Sequence, residues 1–244
     1  MRTLLLATRN PGKVKEISEI LGSPDLRIQS LLDFPEIPEV EEDGATLEEN
    51  ALKKALAGHA HTHLPTLADD SGLEVSCLDG QPGIHSARYA GEKATYDDNN
   101  KKLLNALVGV PPDKRNAQFR CVVAFVAQET RLGPADLRPS KEYSPQADSG
   151  RPAEGTTASV PSQSRAGTKA GGQVVKIVEG ICRGTIATSP RGRGGFGYDP
   201  VFIPEGFRQT YAELSPDIKN RISHRGKGLA SIKKFLTDYF RNDP

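Results

Sequence analysis

Apolar residues along the chain alternate between short solid runs and stripes at helical spacing. Residues 3–7 form a continuous apolar run closed by turn residues, the pattern of a strand buried on both faces. After Thr8-Arg9-Asn10-Pro11-Gly12-Lys13, the residues Val14, Ile17, Ile20 and Leu21 fall on one face of a helix. Residues 27–32 read as a second short strand. Residues 46–59 read as a longer helix, with Thr46 as N-cap and Glu49 completing a capping box. Its inward side carries Leu47, Ala51, Lys54, Ala55 and Gly58. A strand is predicted over 64–68, resuming at 73–75 after an Asp-Asp-Ser-Gly turn. A helix follows over 96–107 and a strand over 117–127, with one or two strands in 173–186. A closing helix over 228–240 carries Leu229, Ile232, Phe235, Leu236 and Tyr239 on one stripe. Strands and helices interleave, which predicts an α/β fold with a mixed sheet.

One stretch departs from this pattern. Of the 43 residues from 128 to 170, 25 are Pro, Gly, Ser, Ala or Thr, and the large apolar residues are Leu132, Leu137, Tyr143 and Val160. Such a composition cannot bury enough surface to offset its ordering entropy. The segment lies between two strand-like runs, so it reads as a disordered insertion in an overgrown hairpin loop. The whole of 1–244 then reads as a single domain.

Charge narrows the function. Lys and Arg number 32 against 31 Asp and Glu, a net of +1, which gives no electrostatic footprint for nucleic acid or an anionic membrane. No apolar run approaches the ~18 residues of a membrane span. The opening run breaks at Pro11-Gly12, so no secretory leader is expected and a cytoplasmic location is the default. Cys77, Cys121 and Cys182 form no CxxC pair and read as reduced core or near-core thiols.

Two familiar patterns fail on context. Gly192, Gly194 and Gly197 satisfy GxGxxG, but Asp199-Pro200 follows where a dinucleotide fold needs a helix. Gly12-Lys13 resembles half of a phosphate-binding P-loop, yet Ala7 and Val14 replace the required Gly and Ser/Thr. A strand, a Gly-Lys loop and a helix still make an anion site, because helix N-terminal N–H groups and a lysine favour phosphate. His59, His61 and His63 read as a solvated helix end rather than a metal site. Asp69-Asp70 follows an apolar strand, where α/β proteins place ligands. With the acidic run Glu41-Glu42-Asp43 it points to a Mg²⁺-phosphate site. In the glycine-rich loop 189–200, Phe196 and Tyr198 read as exposed rings suited to stacking on a base. Lys219-Asn220 and Ser223-His224-Arg225-Gly226 add a cationic cluster ahead of the last helix.

Six of these segments together carry a resemblance. They are Thr8 to Lys13, Glu49-Asn50-Ala51, Ala68-Asp69-Asp70-Ser71-Gly72-Leu73, Gly83-Ile84-His85-Ser86-Ala87-Arg88-Tyr89, Gly195-Phe196-Gly197-Tyr198-Asp199-Pro200 and Ser223 to Gly226. In this order they resemble the bacterial branch of the inosine/xanthosine triphosphate (dITP/XTP) pyrophosphatase family, from residue 3 to about 240; the 128–170 insertion is the main departure. The resemblance implies an elongated, two-lobed α/β fold with a central twisted mixed sheet, flanking helices and a long substrate cleft. It implies Mg²⁺-dependent hydrolysis of non-standard purine triphosphates to the monophosphate and pyrophosphate, in a homodimer. It implies Thr8, Arg9, Asn10, Pro11, Gly12, Lys13, Ser71, Phe196, Gly197, Tyr198, Asp199, Lys219, His224 and Arg225 as substrate-binding. It implies Glu41 and Asp70 as metal ligands, with Asp70 also the proton acceptor. Glu42 and Asp69 stay open as one-residue alternatives. A phosphatase releasing orthophosphate, or a nucleotide sensor without turnover, are the competing expectations.

Overall fold

The computed structural model describes residues 2–129 and 172–242. Strand β1 (Arg2–Leu6) runs through the phosphate-sized loop into helix α1 (Pro11–Leu21), followed by β2 (Leu26–Ser30) and α2 (Leu47–Thr62). Then come β3 (Thr66–Val75), the short β4 (Pro82–Gly83), α3 (Tyr96–Ala106), β5 (Asn116–Gln128) and β6 (Gln173–Ile186). Strand β7 (Phe202–Pro204) and helices α4 (Pro216–Ile222) and α5 (His224–Asn242) complete the described elements. They build one mixed sheet of order β2-β1-β3-β5-β6-β7, with β4 added alongside β3. β1 is parallel to β2 and β3, and the remaining pairs are antiparallel. The expected α/β fold with a mixed sheet between helices is what the chain adopts.

β5 and β6 pair along their whole length, from Asn116 with Thr185 to Gln128 with Gln173. The predicted hairpin is therefore present. Gln128 belongs to its β5 arm, and the insertion itself falls outside the described residues from 130 on. Residues 121–127 are buried on both faces because α2 covers one side of the sheet and α5 the other. Even-numbered Val122, Ala124 and Val126 pack toward α2 with Ala51 and Ala55. Odd-numbered Cys121, Val123 and Phe125 pack toward α1 and α5 with Ile17, Leu229, Ile232 and Leu236. A third cluster, with Leu73, Leu103, Phe119, Phe202 and Tyr211, forms around the far ends of β3 and β5. The long strands thus join two lobes, each with its own apolar filling.

Two local expectations are corrected, and one helix is added. The Asp-Asp-Ser-Gly segment is no turn: β3 runs unbroken for 10 residues, each paired with β5. Turn propensity lost to ten rungs of ladder, and both carboxylates found cationic partners inside the fold. α5 begins at His224, not Gly228, so His224 and Arg225 lie in its first turn. The glycines there serve a close helix–strand crossing, since a Cβ on Gly180 of β6 would sit 2.1 Å from the His224 carbonyl oxygen and 2.3 Å from the Gly228 nitrogen. α4, which the sequence pattern did not announce, is capped by Ser215 and starts with Pro216 at its first turn. Smaller differences concern His59, buried with Nδ1 2.7 Å from the Leu64 carbonyl oxygen, and Cys77, which is exposed while Cys121 and Cys182 are buried.

Candidate active site

Between the lobes lies a cleft of about 970 Å³. Its lining draws on the β1–α1 loop, the 39–43 segment, α2, the middle of β3, the 86–88 turn, the 196–199 loop, α4 and the start of α5. Of the residues the resemblance implicates, Thr8, Arg9, Asn10, Lys13, Glu41, Asp70, Ser71, Phe196 to Asp199, Lys219, His224 and Arg225 all line it. Pro11 and Gly12 lie just behind, in the first turn of α1.

That first turn is capped from within. Asn10 Oδ1 accepts from the N–H of Gly12 at 2.9 Å and of Lys13 at 3.3 Å. Two of the N–H groups expected to face phosphate are therefore already satisfied. What the loop offers the cleft is chiefly side chains: Thr8, Lys13 and Asn10, whose Nδ2 also donates to the Tyr96 hydroxyl at 3.0 Å.

Strand alternation gives the two neighbouring acids different fates. Asp69 points to the α1/α5 face, where its Oδ2 meets Lys13 Nζ at 3.2 Å and Arg225 Nη2 at 3.1 Å. Burial alone would raise its pKa, but Lys13, Arg225 and Lys54 outweigh that and hold the carboxyl far below the usual range. Asp70 points to the α2 face and, among the described residues, pairs with Lys54 Nζ at 2.9 Å. There burial dominates, aided by the nearby Glu42 carboxylate, and its pKa lies above the ordinary value despite Lys54 and Lys13. Asp69 is a fixed structural anion, whereas Asp70 is a carboxylate that has kept its basicity at the cleft wall.

Lys54 is the functional residue that sequence reasoning passed over. It bridges Asp70 and Glu42, the latter at 2.7 Å. The signal was present: a lysine on the inward stripe of a helix, beside Ala51, Ala55 and Gly58, has to meet buried anions. Glu42 is held by Lys54 and, at 3.8 Å, Arg88, and its own pKa is lowered because these cations and Lys13 outweigh its burial. Glu41 is exposed at the cleft and has no hydrogen bond or ion pair among the described residues.

At the other end, one network organises the cationic cluster. Glu16 of α1 accepts from Lys219 Nζ at 2.6 Å and from Arg225 Nη1 at 2.5 Å. Lys219 also pairs with Asp199, whose Oδ2 accepts from the Phe196 N–H at 2.8 Å. Phe196 lies with its ring against Gly12, 5.0 Å from Lys219 Nζ and 5.5 Å from the Arg225 guanidinium carbon. Tyr198 corrects the expectation of an exposed ring. It is buried and its hydroxyl donates to the Ser86 carbonyl at 2.9 Å, so of the two loop rings Phe196 alone stays partly open, with the exposed Tyr96 ring 6.2 Å from it. His224 is stacked on Phe119 at 4.4 Å, and its buried Nδ1 has no hydrogen-bond partner among the described residues. Burial, with Arg225 and Lys219 nearby, lowers its pKa well below the usual value, so the ring is neutral at pH 7.

Gly195 is the hinge of the 196–199 loop. Its φ is +72°, and a Cβ there would lie 1.9 Å from Asp199 Oδ2. Gly195→Ala should therefore break the Asp199–Phe196–Lys219 arrangement. Left-handed strain alone costs about 1–2 kcal/mol, and the clash adds to it. The expected result is a lower melting temperature, read by a thermal melt of the variant beside wild type.

The Ham1 family model matches residues 4–134 and 148–235. The chain belongs to the Ham1 family. It is 43% identical over 236 residues to the dITP/XTP pyrophosphatase of Geobacter sulfurreducens, covering 97% of both chains. It is 42% identical to that of Desulforamulus reducens, covering 96% of this chain and 94% of the other. The solved HAM1 protein from Coxiella burnetii is 34% identical with a TM-score of 0.71, over 98% of this chain and all of that one. The Staphylococcus aureus Ham1 protein gives 32% and 0.69 over the same shares.

Proposed function

We propose that this Ham1-family chain is a dITP/XTP pyrophosphatase: it hydrolyses non-standard purine triphosphates to the monophosphate and pyrophosphate. The observation that carries this reading is the split between Asp69 and Asp70 within one cleft that also holds Lys13, the neutral His224 and the Arg225 cation. In this reading Asp70 takes a proton from water. The water oxygen bonds to the α-phosphorus, and the bond to the bridging oxygen breaks as pyrophosphate leaves. Lys54 holds the Asp70 carboxylate in place. Lys13, Asn10 and Thr8 face the phosphates. Ser71, Phe196, Gly197, Asp199, Lys219, His224 and Arg225 line the part of the cleft that would receive the nucleoside. A purine with a carbonyl at C6 offers an acceptor to hydrogen-bond donors at that end of the cleft. Adenine offers a donor there and leaves them unpaired.

The donor set fits Mg²⁺. Of the carboxylates that line the cleft, the resemblance implicates Asp70 and Glu41, the latter without a partner among the described residues, and among these residues no group of three or more His, Cys, Asp or Glu could enclose a metal. Mg²⁺ is commonly held in this way, by one or two carboxylates with phosphate oxygens and water completing the shell. When bound, it would neutralise phosphate charge. A homodimer and a cytoplasmic location belong to the same proposal, resting on the family resemblance. Among the described residues no helix is long and apolar enough to cross a membrane.

The test is a panel of ITP, dITP, XTP, ATP and GTP with Mg²⁺, scored for pyrophosphate, orthophosphate and monophosphate. Pyrophosphate should appear one-for-one with monophosphate, with kcat/KM for ITP and XTP above that for ATP by about 10²-fold or more. Orthophosphate as the primary product, or no turnover with tight binding, would overturn the reading.

A further inference from the structure

The segment between β2 and α2, residues 31–46, has no regular secondary structure, yet it carries the acidic run Glu41-Glu42-Asp43 into the cleft. An irregular chain of this length has no ladder to fix it, so its position depends on side-chain fastenings. At its far end these are Lys53 to Asp43, Lys54 to Glu42, and Arg88 Nη2 to the Glu42 carbonyl at 3.0 Å. At its near end they converge on one residue. Arg9 Nη1 donates to the Leu31 carbonyl at 2.6 Å, and Nη2 donates to those of Phe34 at 3.2 Å and Ile37 at 2.5 Å.

Three carbonyls around one guanidinium close the start of the segment into a compact bend, pinned also by buried Leu31 and Ile37. Only arginine has the planar fork to serve three acceptors at once; lysine offers a point charge on a flexible stem. The same commitment uses three of the five guanidinium N–H groups, both of those on Nη2 among them, and so removes the end-on, two-nitrogen grip on phosphate. Arg9 sits in the β1–α1 loop beside Asn10 and Lys13, so its bonds tie the acidic segment directly to the loop facing the phosphates.

We infer that Arg9 is a positioning residue, which fixes the acidic segment relative to the phosphate-side loop and does not itself bind the triphosphate. Its consequence for metal use rests on the pyrophosphatase reading above; its consequence for the order of the segment does not.

The experiment compares wild type with Arg9→Ala and Arg9→Lys by two readouts. The first is limited proteolysis of the full chain by a glutamate-specific protease, with cuts mapped by mass to Glu36, Glu39, Glu41 and Glu42. Loss of the carbonyl bonds should speed these cuts about tenfold or more in Arg9→Ala, with a smaller increase in Arg9→Lys. Cuts elsewhere should stay unchanged. The second is the Mg²⁺ concentration giving half-maximal rate, which should rise about tenfold in Arg9→Ala while KM for ITP at saturating Mg²⁺ changes less than about threefold. Unchanged cleavage at those glutamates would overturn the inference. So would a KM rise of about tenfold or more with an unchanged Mg²⁺ requirement, which would return Arg9 to the phosphates. If Arg9→Ala is insoluble, wild-type cleavage of Arg9→Lys overturns it equally. If wild type releases no pyrophosphate, the functional reading fails while the proteolysis still decides the role of Arg9.

Discussion

Asp70→Asn should lower kcat for ITP by about 10²–10⁴-fold, the range for loss of a general base, and leave the fold intact. Asparagine keeps the size of the side chain and an oxygen that can accept from Lys54 Nζ, which also retains Glu42. What is lost is the negative charge and the proton acceptor. Burial and the neighbouring Glu42 already disfavour that charge, so its removal relieves rather than creates an unpaired ion. The melting temperature should be unchanged or slightly higher. KM should change far less than kcat, because the phosphate-side lysine and the nucleoside end are untouched. Steady-state kinetics with pyrophosphate detection, beside a thermal melt, checks both halves. Near-normal turnover by the folded variant would take the base role away from Asp70.

The order of strands and helices was legible because the core is built from solid apolar runs and one-sided stripes. Residues 121–127 need no partner to be recognised as a doubly buried strand, and the stripe of Leu229, Ile232, Leu236 and Tyr239 needs none to be recognised as a helix face. The misreadings share one cause: residues chosen for a tertiary neighbour imitate local signals. Asp69 to Gly72 reads as a turn because Asp, Ser and Gly favour turns, whereas here the acids answer Lys13, Arg225 and Lys54 from three other elements. Gly226 reads as lying ahead of the helix and Gly228 as its start, whereas Gly226 lets α5 pass the Asn220 carbonyl of α4 and Gly228 lets it cross β6 at Gly180. Motif residues could be listed from the sequence, but the state of each carboxylate could not. Whether an acid is consumed or free depends on which face of β3 it occupies, and that follows only once the strand is known to continue through it. Glu16 was invisible for the same reason. On α1 alone it is one acid among polar residues; its link to Lys219 and Arg225 spans more than 200 positions of chain.

Asp69→Asn should show the opposite profile to Asp70→Asn. The Asp69 side chain is fully buried, and its Oδ2 is shared by Lys13 and by two nitrogens of Arg225. Removing the charge leaves the buried Arg225 with Glu16 alone, while Lys13, partly open to the cleft, recovers some solvation. Breaking a buried pair from one side costs about 3–5 kcal/mol. The open side of Lys13 favours the lower figure, and about 3 kcal/mol corresponds to a melting temperature lower by roughly 6–12 °C for a chain of this size. The loss should depend on pH with a defined sign. The folded pKa of Asp69 lies far below its unfolded value, because Lys13 and Arg225 outweigh burial; that of Glu16 is lowered too, because Arg225 and Lys219 outweigh burial. Both groups therefore contribute stability that is complete above the unfolded carboxylate range near pH 4 and declines as pH falls below it. The gap in melting temperature between wild type and Asp69→Asn should be constant from about pH 6 to 7 and shrink below about pH 4. Melts at a series of pH values decide the matter. Equal stability at pH 7, or a gap that widens in acid, would mean that Asp69 is not the anion on which Lys13 and Arg225 converge.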